Sequence, residues 1–171
     1  LHSDGYAMVR RMYDEKGNRV ESSFYGVDDK PTLNKNGVSV WQRRYNGRSK
    51  EVARTYLGLD RKKTLHKDGH AGWRVKYDDK GNEVKRTYRG KDGAPVNCKA
   101  GYAIRHREYD TRGIVHKVSF FDQNKEEVNP AQGADSVPMT APAPAAGVVP
   151  SAPTSPGARC PGWPRQACEQ R

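Results

Sequence analysis

The chain has 171 residues, 34% of them hydrophobic and 30% charged, with a formal net charge of +11 and a mean hydropathy of -1.02. This composition excludes a single thick core, and with no run of roughly 18 apolar residues it excludes a membrane-spanning helix. Nine Tyr, three Phe and three Trp at regular places argue for a thin, ordered, aromatic-rich fold rather than an unstructured polyelectrolyte.

Residues 1–32 set a pattern. "GYAMVRRMYD" alternates polar with aromatic or branched residues, "EKGN" interrupts, and "RVESSFYG" resumes, which reads as a β-hairpin around a short Gly-containing loop. Asp14 can accept bonds from backbone N–H groups at the start of the loop, and Gly17 can take positive φ. The polar segment "GVDDKPTLNKNG" is read as a loop joining this hairpin to the next. No i, i+3, i+4 apolar spacing points to a helix.

Residues 33–64 repeat the phrase in register, with Trp41, Tyr45 and Tyr56 on its strands. The turn glycine stands at Gly47, so a different turn is expected there. This copy carries nine Lys and Arg against two acids. Arg43, Arg44, Arg48, Lys50, Arg54, Arg61, Lys62 and Lys63 form a candidate polyanion-binding patch, alongside the plainer reading of a solvated cationic sheet face.

Residues 65–96 carry the fullest version, "YDDKGNEVKRTY", with Asp78 and Gly81 in the turn. Alternation places Ala71, Trp73, Val75 and Tyr77 on one face and His70, Gly72, Arg74 and Lys76 on the other, with Val84 and Tyr88 sharing a face on the return strand. Residues 97–128 depart from the pattern at Arg105, Ile114 and His116, as terminal repeats of stacked arrays do, and are read as a C-terminal cap.

The expected fold is therefore all-β: a stacked array of four 32-residue hairpins, as an extended sheet or solenoid. Tyr13, Tyr45, Tyr77 and Tyr109 with Phe24, Tyr56, Tyr88 and Phe120 are expected to form one shared aromatic layer, thickest at Trp41 and Trp73. A lone hairpin is marginal in water, so stacking must supply the core. From residue 129 to 171 the composition turns to Pro, Ala, Gly and Ser and predicts an irregular extension, whose "GVVPSAP" could instead add a strand to a sheet edge. Cys160 and Cys168 bracket a short loop there, as a disulfide or as free thiols.

The phrases "YDEKGN" and "YDDKGN", each followed by an alternating strand that ends in an aromatic, resemble the bacterial YD repeats of the Rhs type, and the tandem hairpins are similar to MORN-type repeats. The resemblance covers the first 128 residues and implies an array of structural or binding character. It carries no catalytic residue. The five histidines lie apart along the chain and the turn oxygens are few beside so many cations, so no enzyme, cofactor or metal site is expected. The function expected is a structural protein that self-associates or scaffolds through sheet edges and tail, as a filament or surface-fibre subunit that is secreted or on the cell surface. The alternative is a glycan- or polyanion-binding module.

Overall fold

The computed structural model describes residues 2–130. Within them the chain is all-β, and nine antiparallel strands form one open sheet in which spatial order equals chain order. The hairpins are β1 (Met8–Tyr13) with β2 (Arg19–Tyr25), β3 (Val40–Tyr45) with β4 (Glu51–Leu57), β5 (Gly72–Tyr77) with β6 (Glu83–Arg89), and β7 (Ile104–Tyr109) with β8 (Val115–Phe121). Each begins 32 residues after the one before. The short β9 (Glu127–Val128) pairs with the end of β8. The expected disulfide of Cys160 and Cys168, and all of the extension beyond residue 130, lie outside the described residues.

The turns follow from local chemistry. Asp14 Oδ1 accepts from the backbone N–H of Lys16 and Asn18, Asp78 Oδ1 from Asn82, and Asp110 Oδ1 from Arg112 and Ile114. The fourth turn residue is left-handed: Gly17, Gly81 and Gly113 have φ of 78°, 87° and 80°. The second hairpin keeps the same turn, contrary to the expectation from Gly47. Asn46 does the work of the aspartate, and Ser49 takes the left-handed place at φ 56°.

The connections are not open loops. Residues 26–30 and 34–38 close by the same pair of backbone bonds as residues 14–18: Gly26 N to Lys30 O with Asp29 N to Gly26 O, then Asn34 N to Val38 O with Gly37 N to Asn34 O. Two extra reversals bring the chain back antiparallel to the strand it has just left. β9 and its preceding turn are the fourth occurrence of the first of these closures, since Phe121 pairs with Glu127 as Tyr25 does with Pro31.

Every hairpin also carries a bulge. Tyr13, Tyr45 and Tyr77 face Arg19, Glu51 and Glu83, and the ladder skips Val20, Val52 and Val84. Two residues then oppose one on the partner strand. The bulge turns Glu51 and Glu83 onto the face that carries Trp41 and Trp73.

That face holds most of the core, and rings from successive hairpins touch along it. Phe24 meets Trp41 edge-on at 5.2 Å between centroids, Tyr56 meets His70 at 5.6 Å and Tyr88 meets Tyr102 at 5.7 Å, with His70 on Tyr88 and Tyr102 on Phe120, both at 4.7 Å, filling in within a copy. The expected aromatic layer is present but unequal: Phe24, Tyr56 and Trp73 are buried, whereas Tyr13, Tyr45, Tyr77 and Tyr109 are half-buried at the far end of their strands. His70, expected on the polar face, is only 5% exposed and belongs to this layer, because alternation does not extend back into the turn before β5. A smaller apolar row, Val40 beside Leu57 and Ile104 beside Phe121, occupies the opposite face near the connections.

Candidate functional site

The feature that recurs at every junction is the seam between hairpins. Tyr45 Oη donates to the Arg19 carbonyl, Tyr77 Oη to Glu51 and Tyr109 Oη to Glu83, each at 2.9 Å. The repeated tyrosine thus reaches across to the bulge of the preceding hairpin, whose distorted backbone exposes a carbonyl. At the other end of the strands, Lys35 N bonds Asp4 O, Lys67 N bonds Asn36 O and Lys99 N bonds Asp68 O. Between these ends, Phe24 N bonds Ser39 O, Tyr56 N bonds Ala71 O and Tyr88 N bonds Ala103 O. Each junction is one bonding scheme applied again.

On the aromatic face, arginines and tryptophans alternate across the seams. Arg54 stands 5.6 Å from the Trp41 ring and 5.2 Å from that of Trp73, and Arg86 covers the other side of Trp73 at 4.3 Å. Such cation–π contacts strengthen as water is excluded. Glu51 grips Arg54 with both oxygens at 2.8 Å. Glu83 does the same to Arg86 and also takes Arg105 of the fourth hairpin at 2.7 Å. Burial opposes the charge on Glu83, but Arg86 and Arg105 outweigh it and hold its pKa down at about 2. Arg105 is a buried rivet to the third hairpin rather than a solvent-facing terminal substitution.

The eight cations of the candidate polyanion patch do not share a surface. Arg43 has a side chain only 2% exposed, donates to Ser22 Oγ and lies 3.9 Å from Glu51. Burial first, then Arg54 and Arg19, push its pKa down to about 10. Arg54 is held as described. Arg48 and Lys50 cap a shallow groove of about 540 Å³ between the tips of the second and third hairpins, donating to the carbonyls of Asp79 and Gly81 at 2.6 Å. Arg61 is paired with Glu21 at 2.9 Å. Arg44, Lys62 and Lys63 are exposed, with no side-chain partner among the described residues.

The ends of the array are its other distinctive places. β1 has a strand neighbour on one side only, and residues 117–119 of β8 have none on their outer side among the described residues. Tyr13, alone of the repeated tyrosines, has no described preceding carbonyl to bond. Val118 stands 40% exposed where inner hairpins receive the next strand. Sequence reasoning missed the bulge carbonyl, the arginines of the core and the buried sixth place of each copy, a ring at Tyr6, His70 and Tyr102 and a valine at Val38 in the second. Only the 32-residue recurrence of a ring or branched residue at that place could have signalled the last of these.

Among the described residues no helix is long and apolar enough to cross a membrane, and no group of three or more His, Cys, Asp or Glu side chains is placed to hold a metal ion. Cys98 is a half-buried free thiol. Compared with known proteins, the chain matches no family model and no curated sequence.

Proposed function

We propose that this protein is a non-enzymatic structural subunit that joins head to tail with further copies of its own repeat, building scaffolds or surface fibres outside the cytoplasm. The observation carrying this reading is the complementarity of its two ends. Tyr13 offers the hydroxyl that its equivalents give to a bulge carbonyl, and the bulge of the fourth hairpin offers that carbonyl at Val115. The N–H of Phe120 and the carbonyl of Ala7 occupy the places that bond at every inner seam. Joining unlike ends in this way leaves a free end of each kind after every addition, so it propagates as a filament wherever the rotation per copy does not close a ring. The resemblance to YD-type repeats supports the same class of role.

Electron microscopy and sedimentation of the 171-residue chain test the proposal. Val118→Pro removes a backbone N–H that points out of the receiving edge, as that of Phe24 does at an inner seam, and should leave the fold intact while shifting filaments to monomers. Assembly that persists unchanged in a Val118→Pro, Tyr13→Phe double variant overturns the reading. Polyanion binding by the second hairpin is the alternative, and Arg44, Lys62 and Lys63 support it. Their replacement by Gln should then abolish salt-sensitive binding of heparin or nucleic acid without affecting assembly.

A further inference from the structure

The first hairpin breaks the charge pattern of the aromatic face. Where the second and third hairpins have Glu51 and Glu83, it has Arg19, and where they have Arg54 and Arg86, it has Ser22. The small serine carries no guanidinium onto Trp41 as Arg54 does onto Trp73, and Arg43, bonded to Ser22 Oγ and 5.4 Å from the Trp41 ring, fills only part of that place. A cleft of about 170 Å³ lies there, walled by the rings of Tyr6, Phe24 and Trp41, with Arg11 and Arg19 at its side.

The same exchange removes the acid that would balance these cations. Arg43, the equivalent of Arg11 one hairpin on, lies near Glu51, whereas neither Arg11 nor Arg19 has a carboxylate partner among the described residues. Asp4 borders the cleft, but its carboxylate is bound by Lys35. Glu21 is turned to the opposite face by Gln42, Ser23 and Arg61. Arg11 Nε and Trp41 Nε1 are enclosed donors with no acceptor. A further cation, Arg43, donates to Ser22 Oγ and adds to the positive field.

We infer that this cleft binds a small carboxylate carried on a flat ring, with Arg11 and Arg19 taking the carboxylate and the rings of Phe24 and Trp41 packing against its body. The ligand supplies from outside the acid that Glu51 and Glu83 supply from within. Drug-sized ligands need roughly 300–1,000 Å³, so the occupant is of single-ring size. Arginine presents a planar fork matched to a carboxylate, and stacking on its other side is compatible with an aromatic wall. Because the cleft lies on the face of the sheet, occupancy does not depend on the edge-to-edge association proposed above.

Titration of the full chain with benzoate at neutral pH, followed through the NMR signals of the Trp41 indole N–H and the Arg11 Nε–H, tests the inference. The expected result is saturable movement of both signals, no such movement with benzyl alcohol, and an affinity at least about tenfold weaker in Arg19→Glu, which restores an internal acid. Ser22→Arg should fill the cleft and abolish binding with the fold retained. The absence of saturable movement, an equal response to benzyl alcohol, equal or stronger binding of inorganic phosphate, or undiminished binding in Arg19→Glu would each overturn it.

Discussion

At the scale of single residues, the turn positions separate sequence pattern from backbone requirement. Ser49 holds φ at 56° in the place where its equivalents are glycines, and a side chain in this region costs roughly 1 kcal/mol or more. Ser49→Gly should therefore stabilise the protein by about 0.5–1 kcal/mol, read as a higher denaturation midpoint with unchanged slope. The aspartates of these turns were legible because their chemistry is local. Ser49 was not, because only the closed turn reveals that its φ is positive. A second residue-scale consequence concerns His70, whose pKa burial pushes from about 6.5 down to about 4, helped by the neighbouring His66. Asp68 opposes the shift and Arg86 adds to it. The unfolded chain takes up this proton near pH 6.5 and the folded chain only near pH 4. Stability should then fall as pH drops through that window, by up to about 3 kcal/mol. Thermal melts from pH 7 to pH 4 check this, and His70→Phe, which keeps a ring between Tyr56 and Tyr88, should flatten the profile.

At the scale of the element, a hairpin is held less by its own ladder than by its neighbour. Tyr77→Phe removes one hydrogen bond to the Glu51 carbonyl and should cost about 1 kcal/mol, whereas Tyr13→Phe, with no such bond among the described residues, should leave the monomer's stability unchanged. Equal losses in urea titrations of the two variants would contradict this account of the repeated tyrosine. Glu83→Gln should cost more, about 3 kcal/mol, because Arg86 and Arg105 would be left without their shared acid. The strands themselves were readable from alternation and turn residues. The bulge was not, since period-two reasoning places Glu51 and Val52 on opposite faces, and only the extra residue opposite Tyr45 brings Glu51 beneath Arg54. For the same reason the basic second copy looked like a surface patch. Arg43 and Arg54 carry charge in the sequence but fill the core in the fold, where Trp41, Trp73 and Glu51 surround them.

At the scale of the whole molecule, strand order follows chain order, so among the described residues each hairpin contacts only the one before and the one after. Stability is then close to a sum of unit and seam terms, and units with one seam should open first. Hydrogen exchange should be slowest in β3 to β6 and faster in β1 and in β8. Uniform protection from β1 to β8 would mean that the array opens as one block.

One consequence of the recurring seam concerns heredity. Since the backbone groups that receive a hairpin are the same as those that the hairpin then presents, unequal crossing-over in the gene that adds or removes a multiple of 32 codons leaves every remaining backbone bond of the seams a partner. A change of any other size throws the downstream copies out of step. Reach can therefore vary between descendants in whole rungs, with no need to reinvent the joint.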